Sequence, residues 1–240
     1  MALREVKTKA GKFEISYEII NHNNKRDFIL LHGWGSNKEI MKSAFKNILK
    51  DYRHIYIDMP GFGKSKNHTI LRTNDYKDII NELLKLLNST KDIIAGHSFG
   101  GKVATLLQPS LLVLLSSAGI PTKKPLGIKV KISVYKFFNS LGFGNLRRFF
   151  VSEDVKDMDE NMYETFKNVV DESFKEIFKN YNKKTILFWG DQDSATPIES
   201  AKKINSLIKD STLHILKGDH YFFIQHPKTI EKIITEEFYG

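Results

Sequence analysis

The 240-residue chain predicts a layered α/β fold: a mostly parallel eight-stranded sheet with helices on both faces. Three observations carry that expectation. Continuous apolar runs such as Phe28–Leu31, His54–Ile57, Leu111–Leu115 and Thr185–Trp189 read as strands buried on both faces. Between them lie stretches with apolar residues at helical spacing, clearest at Ile79, Ile80, Leu83, Leu84 and Leu87. The alternation is interrupted once, from Pro121 to Tyr181, by a segment with no buried-strand pattern and much amphipathic helix. Strands alternating with helices imply β–α–β crossovers and a parallel sheet.

Taken in order, Leu3 to Ile19 reads as a hairpin. Phe13, Ile15, Tyr17 and Ile19 alternate with polar neighbours, and Ala10-Gly11 supplies the turn. The run Phe28–Leu31 ends in His32-Gly33-Trp34-Gly35, and residues 38–50 follow as a helix. The strand His54–Ile57 runs into Asp58-Met-Pro-Gly-Phe-Gly-Lys-Ser65, and a helix spans Thr73–Leu87. A strand over Asp92–Ala95 is followed by Gly96-His97-Ser98-Phe99-Gly100, then a helix over Phe99–Leu107 and the strand Leu111–Leu115. In the interruption, Val134, Phe137, Phe138 and Leu141 recur on one face, as do Phe166, Val169, Val170, Phe174, Ile177 and Phe178. The strand pattern resumes at Thr185, with a helix near 199–208, a strand over Thr212–Leu216 and a last helix from Lys228. The organisation expected is therefore a core of residues 1–120 and 182–240, with 121–181 inserted as a helical cap over the C-terminal edge of the sheet. Open α/β sheets bind ligands at that edge.

Composition narrows the chemistry. The absence of cysteine excludes disulfides, thiol catalysis and cysteine metal sites, and fits a reducing compartment. No apolar signal core follows Met1, and the longest apolar runs are too short to span a bilayer, so a soluble cytoplasmic protein without membrane insertion is expected. The formal charge of +9 comes mainly from lysines spread along the chain, with no arginine-rich block, which argues against nucleic acid. No spacing suits a metal site, and no cofactor is expected. Asp58–Ser65 contains Gly-Phe-Gly-Lys-Ser but has Asp58 where a phosphate loop needs its first glycine, so it is a structural turn.

The chemistry gathers at Gly96-His97-Ser98-Phe99-Gly100. A Gly-x-Ser-x-Gly turn between a strand and a helix holds the serine hydroxyl clear of the sheet on strained backbone, and side chains at the two glycines would collide with their surroundings. Ser98 is the candidate nucleophile, and a serine hydroxyl needs a base to take its proton. The chain has eight histidines, and after the strand ending at Trp189 both Asp191 and Asp193 are available as an orienting acid.

These stretches together, with Gly190-Asp-Gln-Asp193, Pro197 and Gly218-Asp-His220, resemble the α/β-hydrolase superfamily over essentially the whole chain. The resemblance implies a Ser98, Asp193, His220 triad in the chain order Ser…Asp…His. It sets the acid three residues past Gly190 and four before Pro197, leaving Asp191 to close the turn, and it puts the base at His220. It implies an oxyanion hole made by the backbone N–H groups of Trp34 and Phe99, with Trp34 and Tyr221 on the substrate pocket.

Within the superfamily, serine as nucleophile implies attack on a carbonyl and an acyl-enzyme. The chain is similar to small serine carboxylesterases, including the pimeloyl-carrier methyl-ester esterases. By that likeness the substrate is a small or carrier-bound acyl ester or thioester, and the basic residues Lys123, Lys124, Lys129, Lys131, Arg147 and Arg148 would dock an acidic carrier protein. Two alternatives stand beside it: a C–C bond hydrolase of meta-cleavage products, and a ligand-binding or signalling relative with slow turnover. A monomer or homodimer is expected.

Overall fold

A computed structural model describes residues 1–121 and 160–239. Eight strands form one sheet in the order β1-β2-β4-β3-β5-β6-β7-β8. They are β1 (Ala2–Thr8), β2 (Gly11–Ile20), β3 (Asp27–Leu31), β4 (Arg53–Ile57), β5 (Ile93–His97), β6 (Leu111–Leu115), β7 (Thr185–Gly190) and β8 (Ser211–Leu216). The helices are α1 (Lys38–Phe45), α2 (Thr73–Leu86), α3 (Phe99–Leu107), α4 (Glu160–Val170), α5 (Lys175–Lys179), α6 (Ile198–Leu207) and α7 (Pro227–Tyr239). The α/β architecture and the mostly parallel sheet are those expected from the sequence.

The hairpin β1–β2 pairs Thr8 with Gly11 across the turn, and β2 joins β4 antiparallel. All remaining pairings are parallel. The central strands β3, β5, β6 and β7 are buried along their whole length, which is why they read as unbroken apolar runs rather than as alternation. Period-2 geometry then divides each strand between two cores. Ile29 and Leu31 face the layer of α2 and α3, with Leu83 and Val103, whereas Phe28 and Leu30 face Met41 of α1 and Ile230 of α7.

Two boundaries differ from expectation for local reasons. Helix α1 stops at Phe45 instead of reaching residue 50, and Leu49 takes a positive φ of 44° while its carbonyl accepts the Tyr52 N–H. The apolar face from Phe166 to Phe178 belongs to two helices rather than one. The chain leaves α4 after Val170, and the Phe174 N–H donates to Gly119 O at 2.8 Å before α5 begins. The expected face of Val134, Phe137, Phe138 and Leu141 lies outside the described residues, as do Lys123, Lys124, Lys129, Lys131, Arg147 and Arg148.

Strand order reverses between β3 and β5: β4 lies on one side of β3, and β5 follows on the other. A crevice opens at the carboxyl ends of strands where such a reversal occurs. The loops following β3, β5, β7 and β8 all leave from that edge.

Candidate active site

Ser98 follows the last residue of β5 and immediately precedes α3. Its φ of 52° and ψ of −115° are outside the regions open to most side chains, and such strain persists only where the surroundings hold it. Here its N–H donates to Leu115 O at 3.0 Å, and its carbonyl accepts the Gly101 and Ala118 N–H groups. The glycines are required by contact. A Cβ on Gly96 would overlap the Gly100 carbonyl oxygen, and one on Gly100 would lie 2.5 Å from the carbonyl oxygens of Leu31 and His32.

His220 lies in the loop after β8, and Asp193 in the loop after β7. Both are buried, and His220 Nδ1 lies 2.8 Å from Asp193 Oδ2. A carboxylate only accepts, so Nδ1 carries the proton and Nε2 is left with a free lone pair. Asp193 is held in turn: its Oδ1 accepts the Ala195 and Thr196 N–H groups at 2.8 and 2.9 Å, and Oδ2 accepts the Thr196 hydroxyl at 2.8 Å. Burial would raise the pKa of this carboxyl. The electrostatic pull of the adjacent His220 ring, its hydrogen bond and the backbone bond from Thr196 more than offset it and bring it to about 2. The structure thus brings together the acid and imidazole named from the sequence. Asp191 instead accepts the Gly218 N–H at 2.8 Å and ties the β7 and β8 loops together, and Asp219 accepts the Tyr221 N–H.

The other histidines near the edge are occupied elsewhere. His97 Nε2 donates to the His220 carbonyl oxygen at 3.0 Å, and burial, then the neighbouring His220, holds its pKa well below the usual imidazole range. Its ring lies 4.6 Å from that of His220. His32 donates from Nδ1 to Gly33 O and accepts the Met59 N–H at Nε2, so it stitches the β3 loop to the β4 loop. His226 donates to Lys217 O.

Trp34 and Ser98 line one cavity with Phe99, Ala118, Phe166, Val169 and Val170. The Trp34 ring contacts Phe62, Phe99 and Phe166, with centroids 4.8, 5.6 and 5.2 Å away. The Phe99 N–H belongs to the first turn of α3, where a helix has no internal acceptor to offer. Tyr221 is not among the lining residues. It is 2% exposed and packs against the His97 and Phe223 rings, because the 3-10 turn Phe222–Ile224 turns this segment into the core beside His220. Phe166, Val169 and Val170 line the cavity without having been singled out as site residues. Their common helical face was visible in sequence, but not what it faces. Among the described residues no group of three or more His, Cys, Asp or Glu side chains is arranged to hold a metal.

The loop Asp58–Ser65 buttresses this edge from one side. Asp58 accepts the Lys38 N–H at 2.8 Å and the Lys38 ammonium at 2.6 Å, with both side chains almost wholly buried. Ser65 donates to Asp58 O and accepts the Ser16 N–H. The loop therefore locks the start of α1, and with it the turn that carries Trp34.

Sheet order, strand–turn–helix elbow and loop placement are those of the α/β-hydrolase fold. A family profile described as "alpha/beta hydrolase fold" matches residues 28–108. The chain is similar to a pimeloyl-[acyl-carrier protein] methyl ester esterase of Pseudoalteromonas atlantica, 33% identical over 35% of this chain and 33% of that protein. It is 26% identical to a 2-hydroxy-6-oxo-6-(2'-aminophenyl)hexa-2,4-dienoic acid hydrolase of Metapseudomonas resinovorans, over 91% of this chain and 85% of the other. In fold it matches the esterase RhEst1 from Rhodococcus sp. with a TM-score of 0.80 at 18% identity, covering 100% of this chain and 99% of that one. Among the described residues no helix is long and apolar enough to cross a membrane.

Proposed function

We propose that the chain is a cytoplasmic serine hydrolase that cleaves carboxylic esters or thioesters, with Ser98 as nucleophile, His220 as base and Asp193 as its orienting acid. The observation that carries the reading is the buried 2.8 Å bond between Asp193 and His220 Nδ1, which leaves Nε2 as acceptor, with Ser98 strained on the elbow of the same sheet edge. In this reading Ser98 Oγ attacks the carbonyl carbon while its proton passes to His220 Nε2. The oxyanion is met by the Trp34 and Phe99 N–H groups. Collapse expels the alcohol or thiol, which takes the proton from His220, and water then releases the acid by the same steps in reverse roles.

The apolar lining by Trp34, Phe99, Phe166, Val169 and Val170 suits an uncharged acyl chain. The esterase relative supports the ester reading, and its carrier-bound substrate supports an acidic carrier docking on the basic residues of a 121–181 cap. The test is hydrolysis of p-nitrophenyl esters, with covalent labelling by a fluorophosphonate. Labelling that persists in Ser98→Ala, or its absence in the parent chain, defeats the proposal.

One observation favours a second reading, cleavage of a C–C bond in a vinylogous diketone: the dienoate-hydrolase relative aligns over 91% of this chain. Side-by-side turnover of p-nitrophenyl acetate and a 2-hydroxy-6-oxo-dienoate separates the two. Faster consumption of the dienoate would replace the ester assignment.

A further inference from the structure

Lys102 is a lysine where a core residue belongs. It sits in α3, the helix that follows Ser98, and its side chain is 1% exposed. Burying an ammonium is unfavourable unless every proton finds an acceptor. Three oxygens provide for it, all from the chain around the end of α4: Val169 O at 2.7 Å, Glu172 O at 3.2 Å and Glu172 Oε2 at 3.0 Å. The Phe174 ring lies 4.7 Å beneath the same nitrogen. The last carbonyls of a helix have no internal donor and carry its negative end, so a cation there is doubly favoured. Burial pulls the pKa of Lys102 down to about 8, with Glu172 opposing the fall, so the group keeps its charge near neutrality. Glu172 is itself held by the Thr73 hydroxyl at the start of α2.

What this arrangement fastens is the pocket wall. Phe166, Val169 and Val170 of α4 line the cavity that holds Ser98. The flank of α4 is bonded to the loop before α2, where the Leu71 N–H donates to Thr165 Oγ1 at 2.9 Å. Lys102 supplies the link to the nucleophile's own helix, and it grips the carbonyl of a residue that lines the cavity.

We propose that Lys102 is a positioning residue that sets the distance between Ser98 and the α4 wall, and thereby the length of acyl chain the site accepts. This rests on the reading of the chain as a serine esterase. An apolar pocket discriminates by about tenfold or more per methylene, so a small displacement of Val169 and Val170 registers in selectivity.

The experiment compares p-nitrophenyl acetate, butyrate and hexanoate on the parent chain, Lys102→Met and Lys102→Arg, alongside hydrogen exchange of the 160–170 amides. In Lys102→Met the hexanoate-to-acetate ratio of kcat/KM should move by about tenfold, carried by KM rather than kcat, and exchange across α4 should quicken. Lys102→Arg, which keeps charge and donors, should recover part of the parent ratio. A folded Lys102→Met with parent selectivity and parent exchange overturns the proposal. If Lys102→Met does not fold, Glu172→Gln decides. It replaces the charged acceptor of Lys102 by a neutral amide, and a change of about threefold in the hexanoate-to-acetate ratio supports the tether, whereas an unchanged ratio overturns it. Failure of the esterase reading shows separately, as absence of Ser98-dependent turnover in the parent chain, while amide exchange still reads the tether.

Discussion

Ser98, His220 and Asp193 are separated by up to 122 residues in sequence, yet each is placed by the same device, a loop leaving the carboxyl end of a parallel strand. Removing the hydroxyl in Ser98→Ala should lower kcat on p-nitrophenyl acetate by on the order of 10⁶, measured against a fluorophosphonate-titrated parent. Asp193→Asn keeps the size but favours the wrong imidazole tautomer, and a loss of about 10⁴ in kcat is expected. Ser98, Asp193 and His220 could be proposed because each lies in a short motif that resembles the α/β-hydrolase superfamily's. Thr196, which holds Asp193 through both its N–H and its hydroxyl, could not, because a hydroxyl in a polar loop has no pattern of its own. Lys102 was hidden for another reason: its partner Val169 is 67 residues away, and a lysine in a helix reads as solvent-facing.

Two local assemblies carry the site. The elbow is a packing solution in which β5 and α3 approach until only glycine fits, so Gly96→Ala should destabilise by about 1–3 kcal/mol. In a thermal melt that is a fall of at least about 2 °C, with activity lost in proportion to displacement of Ser98. The Asp58 loop works through charge. Lys38→Met would leave the buried Asp58 carboxylate without its ammonium partner, and breaking such a pair costs about 3–5 kcal/mol. Denaturant unfolding of that variant should show a lower midpoint with an unchanged slope. The motif was readable as a structural turn, but its partner on α1 was not, since nothing in a lysine near a helix start announces that it is buried.

For the protein as a whole, the Asp193 pair links stability to pH. The carboxyl titrates near 3.8 when unfolded and at about 2 when folded, so folding favours its ionised form. That contribution is complete above about pH 4 and is lost as pH falls through about 2. It amounts to about 2 kcal/mol. Parent chain and Asp193→Asn, compared by urea unfolding at pH 6 and pH 3, should differ in stability by less at the lower pH. An equal difference at both would refute the linkage.

The pattern of residues was enough to specify the α/β class, the strands β3 to β8 and the elbow turn. All of these are written in local periodicity and motif spacing, which depend only on neighbours along the chain. Which face of α4 meets Ser98, that Tyr221 turns into the core, and that Lys102 is buried against the end of α4 were settled by packing. Such contacts arise when segments far apart in sequence close on one another, and the two faces of a helix acquire different meanings only once something is packed against them. The elbow at Ser98 was therefore legible from five residues, while the wall opposite it had to wait for the fold.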